Sequence, residues 1–191
     1  MIRLRLKTER ARALAAVLLL YLSAQTVLPL LAWSAGHVPV PGAPEILEGV
    51  AEVVDGDSVL VGGTKERLFG IDAPEIAQHC TGPGAVRWPC GQHATVALDD
   101  LAGGRPVSCR VRDTDSWGRK VCVCKLDGSD LSAAMVRAGW ALAYRRFSDD
   151  YVEEEEKARS ARLGVWRGEF EPPWKWRATH PPSSRPAAGQ Q

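Results

Sequence analysis

The amino-acid sequence predicts an α+β domain in which five short strands close into a small antiparallel barrel with about three α-helices. Two observations support this fold class. Five short runs of β-type residues are bounded by turn signals. One helical segment lies between the third and fourth of these runs, and the other two follow the fifth. A closed barrel is the expected arrangement because it leaves no strand edge exposed.

The predicted strands form two groups. The first three are consecutive in the chain, because Asp55-Gly56 and Gly62-Gly63 are hairpin turn signals. The last two follow the first helical segment and are themselves separated by a turn. The predicted ranges are 49–54 (GVAEVV), 58–62 (SVLVG), 65–71 (KERLFGI), 105–112 (RPVSCRVR) and 119–126 (RKVCVCKL).

The three helices are predicted from apolar periodicity and from residues that typically begin or end a helix. The third has acidic residues at its start and basic residues at its end, which suits the helix dipole. The predicted helices are 91–102, which ends at Gly103-Gly104; 131–138, capped by Asp130 and ended by Gly139; and a segment capped by Ser148 and ended by Gly164.

The N-terminal segment predicts export. Five basic residues within positions 1–12 precede an apolar run at 13–32, and Ala32 and Ser34 form a small-x-small cleavage site, so residues 1–34 are typical of a signal peptide. The apolar run is also long enough for an uncleaved membrane anchor. In either case the basic start places the folded domain outside the cytoplasm, as a periplasmic or secreted protein or as one anchored in the cytoplasmic membrane.

The remaining boundaries follow from composition. Residues 35–47 are rich in proline and glycine and predict a linker, and residues 178–191 have the composition of a disordered tail. The predicted folded domain therefore covers about 48–177, which is long enough for one sizeable core.

The five cysteines are consistent with an oxidising compartment. Cys80 and Cys90 flank a Gly/Pro-rich loop and are expected to form a disulfide. Cys122 and Cys124 lie on the same face of one predicted strand, so either can meet Cys109 on the preceding strand. We expect the pair Cys109–Cys124, with one thiol left over. The absence of a C-x-x-C pair argues against zinc or thioredoxin-like chemistry.

The charge distribution excludes one mode of nucleic-acid binding. The chain has a net charge of +1, but residues 1–12 carry +4, so the rest of the chain carries −3. A protein that binds through general phosphate attraction is basic over its whole domain. If this domain handles nucleic acid, it does so through a few placed cations or a bound metal.

Three carboxylates beside turns predict a cation site. Asp57, Asp72 and Glu75 would repel one another if they met at one rim of the barrel. A hard divalent cation such as calcium removes this cost, because it binds carboxylate and carbonyl oxygens. Pro74 favours an extended conformation at Ala73, which would present the Ala73 carbonyl as a further ligand.

Two arginines complete the predicted chemistry. Arg67 and Arg119 present planar forks that suit a phosphate, and a metal, a carboxylate base and two arginines can hydrolyse a phosphodiester. Strand alternation, however, places Arg67 and Asp72 on opposite faces. They share a site only if the strand ends or bends between them, and Gly70 marks the expected bend.

The motifs that carry these residues resemble the staphylococcal nuclease-like (thermonuclease) family. "VVDGDSV", "RLFGIDAPE" and "DSWGRKV" occur in the order and rough spacing of that family, and "LSAAMVRAGWALAY" and "YVEEEEKARSARLGVW" are similar to its later helices. The resemblance covers about residues 49–177. It implies an OB-fold barrel and a calcium-dependent nuclease that cuts DNA and RNA with little sequence preference and leaves 3′-phosphates.

The resemblance also implies a role for each site residue, carried over by position. A tryptophan stands at position 117, where the family often has a tyrosine, and it can still stack on a base. The implied roles are calcium binding by Asp57, Asp72 and the Ala73 carbonyl; action on the attacking water by Glu75; contact with the scissile phosphate by Arg67 and Arg119; and contact with the rest of the substrate by Trp117 and Tyr144.

Two other functions remain open at this point. A member of such a family can lose catalysis and serve as an OB-fold module that binds nucleic acid or protein, and a membrane-anchored envelope protein can keep a vestigial site. Silent modules usually have substitutions at the carboxylates or arginines, and this sequence has none, so a nuclease is favoured. We expect a monomer.

Overall fold

The computed structural model describes residues 44–181, and every structural statement below concerns that part of the chain. These residues belong to one compact unit that begins at Pro44. The predicted signal or anchor at 1–34, most of the predicted linker and most of the predicted tail lie outside them. The elements are β1 Ile46–Asp55, β2 Ser58–Val61, β3 Thr64–Leu68, β4 Ile71–Asp72, β5 Cys80–Thr81, β6 Arg87–Trp88, α1 Cys90–Ala102, β7 Pro106–Thr114, β8 Lys120–Leu126, β9 Ser129–Asp130, α2 Leu131–Arg137, β10 Leu142–Ala143, α3 Val152–Ser160 and α4 Pro173–Thr179.

Five strands form a closed barrel in the order β3-β2-β1-β7-β8, and β3 also pairs with β8. Four of the five pairings are antiparallel, but β3 and β8 are parallel, with Arg67 opposite Val121. The prediction of a wholly antiparallel barrel is therefore wrong at this seam. The reason is geometric, because strand direction cannot alternate all the way around a ring of five. The α+β class and the closed five-stranded barrel are as predicted.

The main core fills the barrel and extends beneath α1 and α2. A second, smaller core joins the segment after α3 to the loop that carries β5 and β6. Fully buried members of the main core include Ala51, Val59, Leu68, Leu98, Cys122, Leu131, Met135 and Val136, and the second core contains Cys80, Cys90, Leu142 and Val165 with Trp88, Trp166, Phe170 and Trp174 packed against them.

The predicted helices are present, with corrections at their ends. The Asp130 side chain caps α2 by accepting from the amide of Ala133 at 3.2 Å. The expected cap at Ser148 is wrong, because α3 begins only at Val152 and the Ser148 hydroxyl accepts instead from the amide of Asp150. The sequence analysis missed α4, since its proline- and aromatic-rich sequence has no clear helical periodicity. In residues 44–181, every helix is too short or too polar to cross a bilayer.

Both expected disulfides are present. Cys80 joins Cys90, and Cys109 joins Cys124 across β7 and β8. Cys109 lies directly opposite Cys124 in the strand register, whereas Cys122 lies opposite Val111 and stays a buried thiol. The strand β1 begins at Ile46, inside the predicted linker, because its first residues pair with β7.

Candidate active site

A sharp turn after β3 brings the predicted site together. The strand ends at Leu68, the chain turns at Phe69 and Gly70, and a new strand begins at Ile71. Gly70 has φ +72°, and a Cβ there would lie 2.8 Å from the Tyr151 ring, so the turn requires glycine. The strand therefore ends between Arg67 and Asp72, as the sequence analysis required if these two residues share a site.

Arg67 joins two of the three predicted carboxylates. Its Nη2 atom donates to Asp57 Oδ2 at 3.0 Å and to Asp72 Oδ1 at 2.6 Å. Asp57 follows the turn between β1 and β2, where its amide donates to the Asp55 side chain at 3.1 Å. Asp72 is fully buried in β4, which pairs with β10. One guanidinium nitrogen therefore lies between a carboxylate from the β1–β2 turn and a carboxylate from β4.

A second arginine, which the sequence analysis missed, contacts the same group. Arg177 on α4 donates from Nη1 to Asp72 Oδ1 at 2.9 Å and to Glu75 Oε1 at 2.7 Å, and from Nη2 to Asp72 Oδ2 at 2.8 Å. Nothing in the local sequence indicates this contact. Its only signal is a basic residue in an aromatic-rich segment that was expected to pack onto the barrel.

The site carries excess negative charge. When all three are ionised, the carboxylates of Asp57, Asp72 and Glu75 carry one more negative charge than the two guanidinium groups of Arg67 and Arg177 that contact them. Burial is the main reason that the pKa of Asp57 is raised to about 7. Arg67 opposes this rise, and the carboxylates of Asp55 and Asp72 add to it.

The donor set suits a hard cation. Asp57 Oδ2 and Asp72 Oδ1 both lie within 3.0 Å of Arg67 Nη2, so oxygens from two carboxylates converge on one position, which the guanidinium nitrogen fills in this structure. Among residues 44–181, no group of three or more His, Cys, Asp and Glu is arranged to hold a metal. Asp57 and Asp72 are the two carboxylates whose oxygens converge, and a metal held by them would need carbonyl or water oxygens as its remaining ligands.

The loop after β4 places the other two predicted groups. Glu75 is partly exposed, and its amide donates to the buried side chain of Gln78 at 3.2 Å. Ala73 is buried, and its amide faces Asp57 Oδ2 at 3.4 Å. The Ala73 carbonyl as a metal ligand stays a prediction.

Arg119 and Trp117 lie on the hairpin between β7 and β8. Asp115 Oδ1 accepts from both of their amides at 2.9 Å, and Asp115 Oδ2 accepts from Arg119 Nε at 2.7 Å. The Arg119 guanidinium lies 5.4 Å from the Trp117 ring, which is 80% exposed. Asp115 thus orients the hairpin, and the Arg119 side chain is fixed by this residue rather than by the three carboxylates.

One cavity of about 620 Å³ unites the site. Of the predicted residues, only the buried Asp72 does not line it; Tyr144 lies on another wall, with its ring stacked 5.3 Å from that of Trp174. The predicted residues in the lining are Asp57, Arg67, Ala73, Glu75, Trp117, Arg119 and Tyr144, and those that the sequence analysis missed include Lys65, Arg146, Phe147 and Arg177.

The chain is similar to known proteins over this same region. The family described as staphylococcal nuclease homologue matches residues 65–168. The succinoglycan biosynthesis protein ExoI of Rhizobium meliloti (strain 1021) is 33% identical over 135 residues, which are 68% of this chain and 70% of that protein. An uncharacterized endonuclease of Escherichia coli O157:H7 is 32% identical over 136 residues, 67% of this chain and 82% of the relative.

Plant relatives are longer. The probable staphylococcal-like nuclease CAN2 of Oryza sativa subsp. japonica is 32% identical over 124 residues, 63% of this chain but 31% of the relative. The chain therefore spans about a third of this plant protein. The family match begins in β3 and ends at Gly168, so Asp57 precedes it and Arg177 follows it.

Proposed function

This chain belongs to the staphylococcal nuclease homologue family, and from that premise we propose that it is a nuclease that hydrolyses phosphodiester bonds. We propose DNA and RNA as substrates, with little sequence preference and with 3′-phosphates as products. The observation that carries the proposal is the one cavity that Asp57, Glu75, Arg67 and Arg119 line together.

Glu75 is the group that acts on the attacking water. It is a carboxylate on a cavity wall, and its side chain is 37% exposed, so water can reach it. Its amide is anchored by Gln78, which fixes the loop from which the side chain extends. The role requires the ionised carboxylate, because only that form accepts a proton from water or orients it.

Arg67 and Arg119 bind the phosphate. Both line the cavity, and each has one edge held by a carboxylate of the protein. A held guanidinium keeps its fork in place, so the donors meet the charge that develops on the phosphate oxygens without a reorganisation cost. Trp117 and Tyr144 would contact the sugars or bases on either side of the scissile phosphate.

Calcium is the proposed cofactor. Asp57 and Asp72 would hold it, with the Ala73 carbonyl as a further ligand, and the uncompensated charge of the cluster favours a divalent cation. When bound, the ion would supply positive charge to the phosphate and lower the pKa of a bound water.

The test is cleavage of plasmid, denatured DNA and RNA by the purified protein, with calcium and then with a chelator. Cleavage should require the metal, and Glu75→Gln should slow it by orders of magnitude. Glu52→Gln is the matched control, because Glu52 is an exposed carboxylate on β1 outside the cavity. Equal cleavage by the Glu75 variant would assign the activity to a contaminant. Undiminished cleavage in the presence of chelator would exclude calcium from the proposed mechanism.

We propose that the protein is exported and monomeric. The basic and apolar N-terminal segment supports export, as do the two disulfides. Cleavage after Ser34 would give a mature chain that begins at Ala35, whereas retention through residues 13–32 would leave the intact chain in the membrane fraction. N-terminal sequencing of the fractionated protein distinguishes the two, and light scattering checks the monomer.

A further inference from the structure

The chain after Gly168 forms a C-terminal arm, residues 169–179, which is fastened to the loop behind the active site. Thr81 and Glu169 exchange two backbone hydrogen bonds of 2.8 Å. The Gln78 side chain donates to the Glu171 carbonyl at 2.6 Å. The arm is therefore fixed at its start by contacts that involve none of the catalytic groups.

Gln78 connects this arm to the proposed base. Its side chain is fully buried, and the two ends of its amide group have different partners: Oε1 accepts from the Glu75 amide at 3.2 Å, and Nε2 donates to Glu171. One amide side chain thus sets the distance between the loop that carries Glu75 and the arm. Further along, Trp174 stacks on Tyr144 and directs α4 towards the cavity.

Arg177 then closes the connection from the other side. Its Nη1 atom donates to both Asp72 Oδ1 and Glu75 Oε1, and its Nη2 atom donates to Asp72 Oδ2. Asp72 is fully buried in β4, whereas Glu75 is on a loop and partly exposed. A bidentate contact with the first and a single hydrogen bond to the second connect the carboxylate on the loop to the buried carboxylate in the strand.

We propose that Arg177 is a positioning residue that fixes the Glu75 carboxylate against Asp72, which makes the C-terminal arm part of the active site. The inference rests on the proposed nuclease function. All three of the Arg177 hydrogen bonds go to carboxylates, two to Asp72 and one to Glu75, so its fork links these two acidic groups. The arm is already held by Thr81, Gln78 and Tyr144, so its attachment does not depend on Arg177 alone.

The kinetic test compares Arg177→Ala, Arg177→Lys and Lys175→Ala on a fluorescent single-stranded oligonucleotide. In Arg177→Ala, kcat should fall by about tenfold to a hundredfold with KM nearly unchanged, because a misplaced catalytic group loses rate rather than binding. Arg177→Lys should be intermediate, since an ammonium keeps the charge but not the fork. Lys175 is an exposed cation on the same helix, and its removal should change neither constant.

Free guanidinium ion at millimolar concentration should restore part of the rate of Arg177→Ala and none of the rate of Glu75→Gln. A purely structural role would not respond to the added ion. An increase in KM with kcat preserved would overturn the proposal by placing Arg177 on the phosphate, and so would an unchanged kcat.

A stability cycle tests the contact without any cleavage assay. Arg177→Ala, Glu75→Ala and the double variant are unfolded thermally, and the Tm loss of the double variant should be smaller than the sum of the single losses. Strict additivity would overturn the proposal. A wild-type protein that cleaves nothing in calcium would contradict the proposed nuclease function, and this cycle would still decide whether Arg177 holds Glu75.

Discussion

Arg67 and Asp72 are joined by a 2.6 Å hydrogen bond although they are five positions apart in a segment that alternation would place on opposite faces. The turn at Gly70 allows this contact, and the same Arg67 nitrogen also donates to Asp57 Oδ2 at 3.0 Å. The pair is the centre of the site, because Asp72 is fully buried and the guanidinium groups of both Arg67 and Arg177 contact it.

Removal of Arg67 should therefore cost stability as well as activity. Arg67→Ala leaves two largely buried carboxylates short of a partner, and breaking a buried pair by removing one member costs about 3–5 kcal/mol. Urea unfolding measures this loss. Arg110→Ala, at an exposed position on β7, is the control and should lie within about 0.5 kcal/mol of wild type. A loss below 1 kcal/mol for Arg67→Ala would mean that the carboxylates do not need its charge.

Gly70→Ala tests the turn. Alanine at φ +72° costs about 1–2 kcal/mol, and its Cβ would also press on the Tyr151 ring at 2.8 Å. Gly63→Ala is the matched control, because Gly63 has φ +81° but open space around it and isolates the backbone cost. The free energy of unfolding should fall further for Gly70→Ala than for Gly63→Ala. Equal losses would show that the contact with Tyr151 is not limiting.

Trp117 should contribute to substrate binding and not to the fold. Its ring is 80% exposed, so Trp117→Ala should leave Tm unchanged. If the ring stacks on a base, KM for a single-stranded oligonucleotide should rise by about 5- to 150-fold, which corresponds to about 1–3 kcal/mol, and Trp117→Tyr should recover most of this loss. Val86→Ala, an exposed apolar residue outside the cavity, should not change KM. An unaltered KM in Trp117→Ala would leave this tryptophan without a binding role.

The burial of the Glu66 carboxyl predicts that the stability of the fold depends on pH. It is buried in the barrel, Oε1 lacks a hydrogen-bond partner, and Oε2 accepts from the Cys122 thiol at 3.4 Å. Burial raises the pKa of Glu66 above its ordinary value of 4.5, with the thiol and Lys120 opposing. The folded state therefore binds this proton more tightly than the unfolded state, and the stability that it contributes is lost as pH rises through the folded pKa.

The measurement is Tm against pH for wild type and Glu66→Gln. The Tm of the wild type relative to that of Glu66→Gln should be highest below about pH 4.5, and this Tm difference should fall as the pH increases above that value. Glu52→Gln, which changes an exposed carboxylate on β1, should give a difference from wild type that does not depend on pH in this way. A constant difference for Glu66→Gln would show that Glu66 titrates normally.

The sequence was sufficient for the part of the site that is local in the chain. Asp57, Arg67, Asp72 and Glu75 are close in the sequence, and Gly70 marked the bend that brings Arg67 and Asp72 into one site against strict strand alternation. Arg177 could not be found in this way, since it is 102 positions from Glu75 and reaches it only through the packing of the arm. Side-chain packing between distant segments leaves no periodic pattern in the sequence.

The same reasoning explains the other differences. The parallel seam follows from the strand number and not from any residue, and α4 is stabilised by contacts of Trp174 and Arg177 rather than by helical periodicity. Arg119 was expected to contact the phosphate beside the carboxylates. Arg119 lines the cavity, but its orientation is determined by a hydrogen bond to Asp115, four positions earlier in the chain.

The parallel seam between β3 and β8 also has a consequence for the order of folding. It pairs residues 66–68 with residues 120–122, so the whole of α1 and β7 is synthesised and arranged before the two strands can meet. Contacts between segments so far apart form late, because the entropy of closing the intervening chain is lost before any pairing compensates for it. Arg67 is the penultimate residue of β3, and Arg119 immediately precedes β8. A refolding chain should therefore regain its helical circular dichroism signal before it regains the ability to bind a phosphodiester.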